Sequence, residues 1–398
     1  MEPIWTLCAA MQEEIVALRR RLHQVPELGT RLPKTQALIC ETLEHWGIPY
    51  QKGTLDTSVF GTIQGGAPGK TVLLRADVDA LPIQEETGLP FSSCHPGIMH
   101  ACGHDAHGAM LLGAVKALFD RREELRGNVR FLFQTSEEDG HGAKNAIAEG
   151  ILSGVDAVFG MHAGSILGPE IPSGTVTAAP GCCMASTDRF VLRVRGVGCH
   201  GSTPEKGVDP ISIAAHIIIA LQEILARELP AAKIAVVTLG QIHGGAAYNI
   251  IPDEVVLEGT LRCVEQSVRD HVLQRITDIA QGEAALFRGS CQVEIHPFAP
   301  PVISDIALAA LAADAARDVL GSEWVRDSLA ASNMGGEDFA FYLDRVPGCY
   351  FFFSTADPEK GTCLPHHSPR FTMDESVFWK GSAVFAAIAR RFLNGDEG

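Results

Sequence analysis

Between about residue 35 and residue 175 short apolar runs alternate with segments of helical spacing, and the chain then drops that rhythm for about a hundred residues. In the alternating part "QALICETLEHWG" has helical spacing, "TVLLRADVDA" is a strand that breaks into charges, and "AMLLGAVKALFDRREEL" is helical. "NVRFLFQTSEED" is again a strand with a charged end, "AKNAIAEGIL" a helix and "VDAVFGMH" a strand. Parallel strands need a crossover and the crossover is usually a helix, so this order predicts a largely parallel sheet with helices on its faces. The middle reads differently: strand "TDRFVLRVRG", long helix "DPISIAAHIIIALQEILAREL", strands "KIAVVTLGQIHGG" and "EVVLEGTLRC", helix "SVRDHVLQRITDIAQGEAALF", strand "CQVEIHPF". That is the β-α-β-β-α-β order of a split βαβ, ferredoxin-like unit. After the linker-like "FAPP", helix and strand alternate again from Val302 onward. The expected class is α/β: a mixed, largely parallel sheet flanked by helices over residues 1–184 and 298–398, with an α+β ferredoxin-like domain inserted at 185–297. A chain of 398 residues exceeds what one simple core usually holds, in keeping with two domains.

Composition narrows the function classes. With 46% hydrophobic and 20% charged residues the chain reads as globular. A formal net charge of −16 argues against a nucleic-acid backbone or an anionic membrane as partner. No window shows the roughly eighteen apolar residues that a membrane span needs. The first residues carry Glu2, Glu13 and Glu14 and lack a basic start followed by an apolar block; they read as an amphipathic helix ending near Pro26 rather than a signal peptide. Eleven irregularly spaced cysteines, an odd count, point to reduced thiols and a cytoplasmic home.

The chemistry concentrates at the ends of the expected strands. "MHACGHDAHGAMLLG" packs His100, Cys102, His104, Asp105 and His107 into the turn before a helix. Asp77 and Asp79 follow "TVLLRA", Glu137 and Glu138 follow "VRFLFQTS", and His162 follows "AVFGM". Open α/β sheets bind ligands beyond the carboxyl ends of their strands, so these segments are expected on one rim. Thiolate, imidazole and carboxylate are zinc ligands, and the last two also suit manganese. Paired Cys-x-x-Cys spacing, the usual mark of a structural zinc, is absent. Adjacent Glu137 and Glu138 suit a division of labour, one binding metal and the other moving a proton. "LPHHSPRF" adds His366 and His367 in a Pro-bounded loop. At least one of Asp77 and Asp79 is expected to serve the site. His107, inside the helix, reads as structural, the pair Cys182–Cys183 as packing, and His141, His216, His243, His271 and His296 as surface or core residues.

In order along the chain, "RRRLHQVPELG", "LLRADVDALPIQEETGLPFSS", "MHACGHDAHGAMLLGA", "FLFQTSEEDGHGAKNAIAEG", "GMHAG", "GCHGSTPEKGVDP", "YNIIPDEVVLEGTLR", "GGEDFAFYL" and "HHSPRFTMDE" resemble the amidohydrolase branch of the zinc aminoacylase and carboxypeptidase family. That branch includes hippurate hydrolases, auxin-conjugate hydrolases and N-acetyl-amino-acid deacetylases, and the resemblance covers roughly residues 12 to 390. It implies metal ligation by Cys102, His104, Glu138, His162 and His367, and Glu137 as general base. It further implies that the inserted domain is a lid and dimerisation unit, whose His200 reaches the partner subunit's site and steadies the oxyanion. Asn249 and Arg262 match positions that help bind the substrate's carboxylate. The implied cofactor is one or two divalent ions, zinc or manganese first, cobalt or nickel as alternatives. The implied substrate is a small N-acyl amino acid, and the implied assembly a homodimer or dimer of dimers.

Two departures bear on the pocket: Thr135-Ser136 replaces the family's frequent Pro-Ala, and "AGSILGPE" replaces a bulky Pro-containing stretch after His162. The same parts could serve a metallo-dipeptidase or carboxypeptidase. A cysteine hydrolase using Cys102 would leave Glu137, Glu138, His162 and His367 without work, and a non-catalytic descendant would be expected to have lost ligands or base, which this chain has not.

Overall fold

The computed structural model describes residues 2–395, and the chain forms two compact units: Met1–Cys183 with Val302–Asn333 and Glu337–Gly398, and Met184–Pro301 with Met334–Gly336.

The first unit is built on an eight-stranded sheet. Its centre is four neighbouring parallel strands in the order Arg126–Gln134, Ala67–Asp77, Ala157–Gly164, Gly348–Ser354. Antiparallel neighbours flank them, Val59–Gln64 on one side and Val176–Thr177 on the other, so the sheet is mixed and largely parallel. Strands covered on both faces must be apolar throughout rather than alternating. Every residue of Ala157–Gly164 and Gly348–Ser354 is buried, which is why "AVFGMHAG" and "GCYFFFS" read as continuous runs. The helices Gln12–Gln24, His104–Asp120, Ile306–Leu320 and Phe378–Asn394 supply the covering apolar surface. Two of them approach so closely that a Cβ on Gly381 would lie 2.2 Å from the Met110 sulfur. The carboxyl ends of the parallel strands (Asp77, Gln134, Gly164 and Ser354) define one rim.

Two local expectations need correcting. The N-terminal helix is not continuous: it divides at Met11, where the backbone leaves helical values, into Ile4–Ala10 and Gln12–Gln24. His162 does not follow its strand but lies within Ala157–Gly164, because the backbone ladder to Gly348–Ser354 continues to Gly164.

The second unit is a four-stranded antiparallel sheet in the order Ala235–Gly244, Glu254–Cys263, Thr187–Arg195, Ser290–Ala299, with helices Pro210–Ala220 and Gln266–Leu286 packed on it. This is the ferredoxin-like arrangement. Alternate residues of Glu254–Cys263 are buried, as expected for a sheet with one covered face. The expectation of no stretch apolar enough for a membrane span fails by length and composition at the helix Pro210–Glu228. Its Ile213, Ala214, Ile217, Leu221 and Ile224 pack into this unit's core, so the apolarity has a packing cause.

Candidate metal centre

Each segment of the rim is shaped by its backbone. Gly103 sits at φ +92, and a Cβ there would meet the Met373 sulfur at 3.1 Å and the Ala163 carbonyl at 3.2 Å. Only glycine suits that conformation, and it lets the helix begin at His104 directly after Cys102. Ser136 and His367 adopt positive φ (58 and 64) without being glycine, a strain that surrounding structure must impose and that clusters at functional sites. At His367 the amide donates to the Ala101 carbonyl at 2.8 Å, tying the C-terminal loop to the Cys102 turn.

Six side chains converge. Cys102 Sγ lies 3.5 Å from His162 Nε2 and 3.6 Å from His366 Nδ1. Glu138 Oε1 lies 3.4 Å from His367 Nε2 and 3.9 Å from His104 Nε2. Ligand atoms of Cys102, His104 and His162 all fall within 4.8 Å of one another, as do those of Cys102, Glu138 and His367. His104 Nε2 and Glu138 Oε1 are buried without any hydrogen-bond partner. Leaving such atoms unsatisfied costs about 1–3 kcal/mol each, so their arrangement calls for a group to share. Two nitrogen or oxygen ligands, each ~2.1 Å from one tetrahedral ion, stand ~3.4 Å apart, close to the 3.4 and 3.9 Å that separate Glu138 Oε1 from His367 Nε2 and His104 Nε2. The donor set fits a divalent cation, and the two overlapping groups, sharing Cys102, fit two.

The second layer holds the first. His104 Nδ1 lies 3.3 Å from Asp79 Oδ1, while Asp79 Oδ2 accepts the Glu138 amide at 3.1 Å. One carboxylate thus orients a ring and a loop, leaving His104 Nε2 free for an ion. His107 donates from Nδ1 to Asp77 and accepts the Ala163 amide at Nε2, 2.8 Å away. Both its nitrogens are committed within the fold. Asp77 in turn receives the fully buried Arg75 at 2.6 Å.

The electrostatics divide the two adjacent glutamates. Burial, then Glu337, Glu138 and Asp338, push the Glu137 carboxyl well above the usual range. For Glu138 burial pushes upward too, but His367, His104 and the remaining contacts outweigh it and bring the carboxyl below that range. Burial, with His107 and His366, keeps His162 neutral, the form that ligates metal, and similarly pushes His366 down to about 3. Burial together with Glu138 raises the Cys102 thiol well above its ordinary range; a bound cation would reverse that balance.

His200, Asn249 and Arg262 lie in the second unit. His200 is exposed, and its Nδ1 accepts the Ser202 amide at 3.1 Å, which leaves the ring proton on Nε2. The short ladder pairing Ile250 with His200, and the Gly201 amide on the Asn249 carbonyl at 2.8 Å, bring His200 and Asn249 together. Arg262 is not with them: it is half-buried on Glu254–Cys263, opposite Val236.

Glu337 and Asp338 at the rim escape the sequence reading, and His366 enters it only as the neighbour of His367. His366 faces Cys102, and Glu337 and Asp338 gather with Glu137 into a buried carboxylate group. The strings "PHH" and "GGED" carried them, yet a doubled histidine or an acidic pair has no spacing rule that separates ligand from neighbour. Asp105, one residue beyond His104, is likewise enclosed, by Arg19 at 2.8 Å and His23 at 2.6 Å.

The profile of peptidase family M20/M25/M40 matches residues 73–391. The chain belongs to that family. It is 41% identical over 389 residues to the N-acetyl-L-cysteine deacetylase of Bacillus subtilis strain 168, covering 98% of this chain and 90% of the relative. It is 37% identical to thermostable carboxypeptidase 1 of Saccharolobus solfataricus, covering 96% of both chains. Among solved structures, the YXEP protein of Bacillus subtilis, a dinuclear metal binding peptidase from the M20 family, superposes with a TM-score of 0.83 at 35% identity, covering 97% of this chain and 99% of that one. The chain is an M20 amidohydrolase, and its candidate ligand groups, with a dinuclear metal binding M20 structure among its relatives, support one or two metal ions.

Proposed function

We propose that this M20 enzyme hydrolyses the amide bond of N-acyl amino acids, with N-acetyl, N-benzoyl or aryl-acyl groups, giving a carboxylic acid and a free amino acid. The observation that carries the reading is the pair Glu137 and Glu138: neighbours in sequence whose surroundings push their carboxyls in opposite directions beside unpartnered imidazole nitrogen. Such a split marks one residue suited to take up and hand on a proton and one that stays ionised. The similarity to a deacetylase of an N-acylated amino acid supports the substrate class.

A divalent cation held by Cys102, His104, Glu138, His162 and His367 would supply a Lewis acid and an acidified water. Zinc and manganese suit the thiolate, imidazole and carboxylate set first, with cobalt and nickel as alternatives. Glu137 Oε1 is held by the Asp338 amide at 3.3 Å, so Oε2 is the atom we assign to take the proton from the attacking water. The elevated proton affinity of Glu137 suits it to keep that proton until the leaving amine takes it. His200 carries its proton on the exposed Nε2 and would donate to the oxyanion in the partner subunit's site; Asn249 and Arg262 would hold the substrate's carboxylate.

The assembly we propose is a homodimer, or a dimer of dimers, made through the second unit. Ala235–Gly244 is an edge strand with one neighbour, Glu254–Cys263, and exposes Val236 and Ile242, while Ile219 on helix Pro210–Ala220 is 71% exposed. Unpaired edges and exposed aliphatics invite pairing with a second copy. Val236→Lys should shift the protein from dimer to monomer in sedimentation velocity and lower turnover with it; an unchanged sedimentation coefficient would remove this surface as the interface. Eleven cysteines, none in a disulfide, support a reducing, cytoplasmic location, which fractionation of cells expressing the protein would check.

A second reading has a specific basis in the 37% identity to a carboxypeptidase. One panel separates the two: N-acetyl, N-benzoyl and indole-acetyl amino acids beside dipeptides, assayed for released amino acid before and after chelation and metal add-back. The expected result is metal-restored cleavage of N-acyl amino acids with dipeptides slower. Faster cleavage of dipeptides would favour the peptidase.

A further inference from the structure

We propose that Asp338 is a positioning residue for Glu137: its carboxylate fastens both ends of the loop that carries the two glutamates, and its own amide fixes the base. The inference rests on Glu137 being that base. The loop leaves the strand Arg126–Gln134, passes Ser136 in a left-handed conformation, and closes where Gly142 starts the helix Gly142–Ala148. Closure is so tight that a Cβ on Gly142 would lie 1.6 Å from the Thr135 carbonyl oxygen. The amides of His141 and Gly142 both donate to the Ser136 carbonyl, at 3.2 and 3.1 Å.

Asp338, fully buried, grips this closure from both sides. At the leading end Gln134 Nε2 donates to Oδ1 at 2.9 Å and to Oδ2 at 2.8 Å. At the trailing end the Ala143 amide donates to Oδ2 at 2.9 Å. Arg75 Nη2 donates to Oδ1 at 2.6 Å and anchors the carboxylate to the central strand Ala67–Asp77. The Asp338 amide then donates to Glu137 Oε1 at 3.3 Å. The left-handed turn at Ser136 is thus held from both sides, and the direction of Glu137 Oε2 follows from these contacts.

Every partner of the Asp338 carboxylate is an N–H donor. D338N keeps the shape but turns an NH2 against either Arg75 or the Gln134 and Ala143 donors. Gln134 cannot relieve the clash by flipping, because its Oε1 already accepts Arg75 Nε at 2.8 Å and the Tyr342 hydroxyl at 2.7 Å. A displacement of the base of about 1 Å costs on the order of 100-fold in rate. The expected result for D338N is therefore kcat lower by about 100-fold, with KM and bound metal per subunit both within about twofold of wild type.

In D338N/Q134E the new carboxylate still accepts from Arg75 and Tyr342 and now also from the asparagine NH2. The double variant should recover part of the lost kcat, a coupling that a purely structural defect would not show. Should D338N be isolated unfolded, Y342F removes one of the two donors that hold Gln134 Oε1 and should show the same kcat-only loss at smaller amplitude. The proposal is overturned if a folded, metal-loaded D338N keeps kcat near wild type, if its loss of kcat follows loss of metal, or, where only Y342F is measurable, if Y342F leaves kcat unchanged. E137Q, assayed in parallel, separates the two levels: an active E137Q removes the base assignment itself, whereas an inactive E137Q beside an unimpaired D338N removes only the clamp.

Discussion

Glu137→Gln should lower kcat by about 10²- to 10⁴-fold, the usual worth of a positioned general acid–base group, while metal content stays at the wild-type level. The amide is isosteric and its oxygen can still accept the Asp338 amide, so the loop has no reason to move. What disappears is the basic Oε2, and nothing beside it can replace that atom: Glu138 is drawn down by His367 and His104, and Glu337 already accepts the Tyr350 hydroxyl, the Phe339 amide and Arg75. Stability should move the other way. Burial, with Glu337, Glu138 and Asp338, raises the Glu137 carboxyl well above its ordinary 4.5. A carboxyl raised on folding binds more protons in the native state than in the unfolded one, so wild-type stability falls as pH climbs from about 4.5 towards the native value. Glutamine carries no such penalty. In metal-free protein the melting temperature of E137Q should therefore exceed that of wild type at neutral pH, and the gap should shrink towards pH 4.5. Wild-type turnover in this variant would remove Glu137 from the mechanism.

How much of this was legible in the residues depends on whether a feature is local. The parallel sheet was readable because strands covered on both faces must be uniformly apolar, and "AVFGMH" and "CYFFF" are. The inserted unit was readable because the order of its elements permits few topologies. The Cys102–His104 turn was readable because metal-binding side chains crowd there directly before an apolar helical run, while the left-handed Gly103 that shapes it shows only in the fold. What could not be read were contacts between distant segments. Asp338 holds Gln134 from 204 positions away, and Arg75 sits amid carboxylates from two parts of the chain; no spacing rule connects them. His366 and His367 are adjacent, yet one faces Cys102 and the other Glu138, a split set by the left-handed backbone at His367 rather than by composition. The hydropathy of Pro210–Glu228 is by contrast a property of the residues themselves; what they do not show is that Ile213, Ile217 and Ile224 pack into the core of the second unit.

Chelation should abolish turnover and lower the melting temperature together, and the second effect identifies the cause. Without a cation His104 Nε2 and Glu138 Oε1 stay buried and unpartnered, so the metal-free state carries a cost that binding removes. A ligand at 100 times its Kd stabilises the native state by about 2.7 kcal/mol, and in a chain of 398 residues each kcal/mol is worth ~1 °C. Calorimetry should thus show a fall of about 3 °C on chelation, reversed by zinc or manganese. The shift should also depend on pH with a definite sign. Burial and Glu138 hold the Cys102 thiol protonated well above its ordinary range, and a cation must expel that proton, so affinity rises with pH and the metal-induced shift should be larger at pH 8 than at pH 6. Cys102→Ala should reduce both metal stoichiometry and that pH dependence, because the group that releases the proton is gone. Turnover that survives complete removal of metal would instead make Cys102 the nucleophile, and the histidines around it its general base.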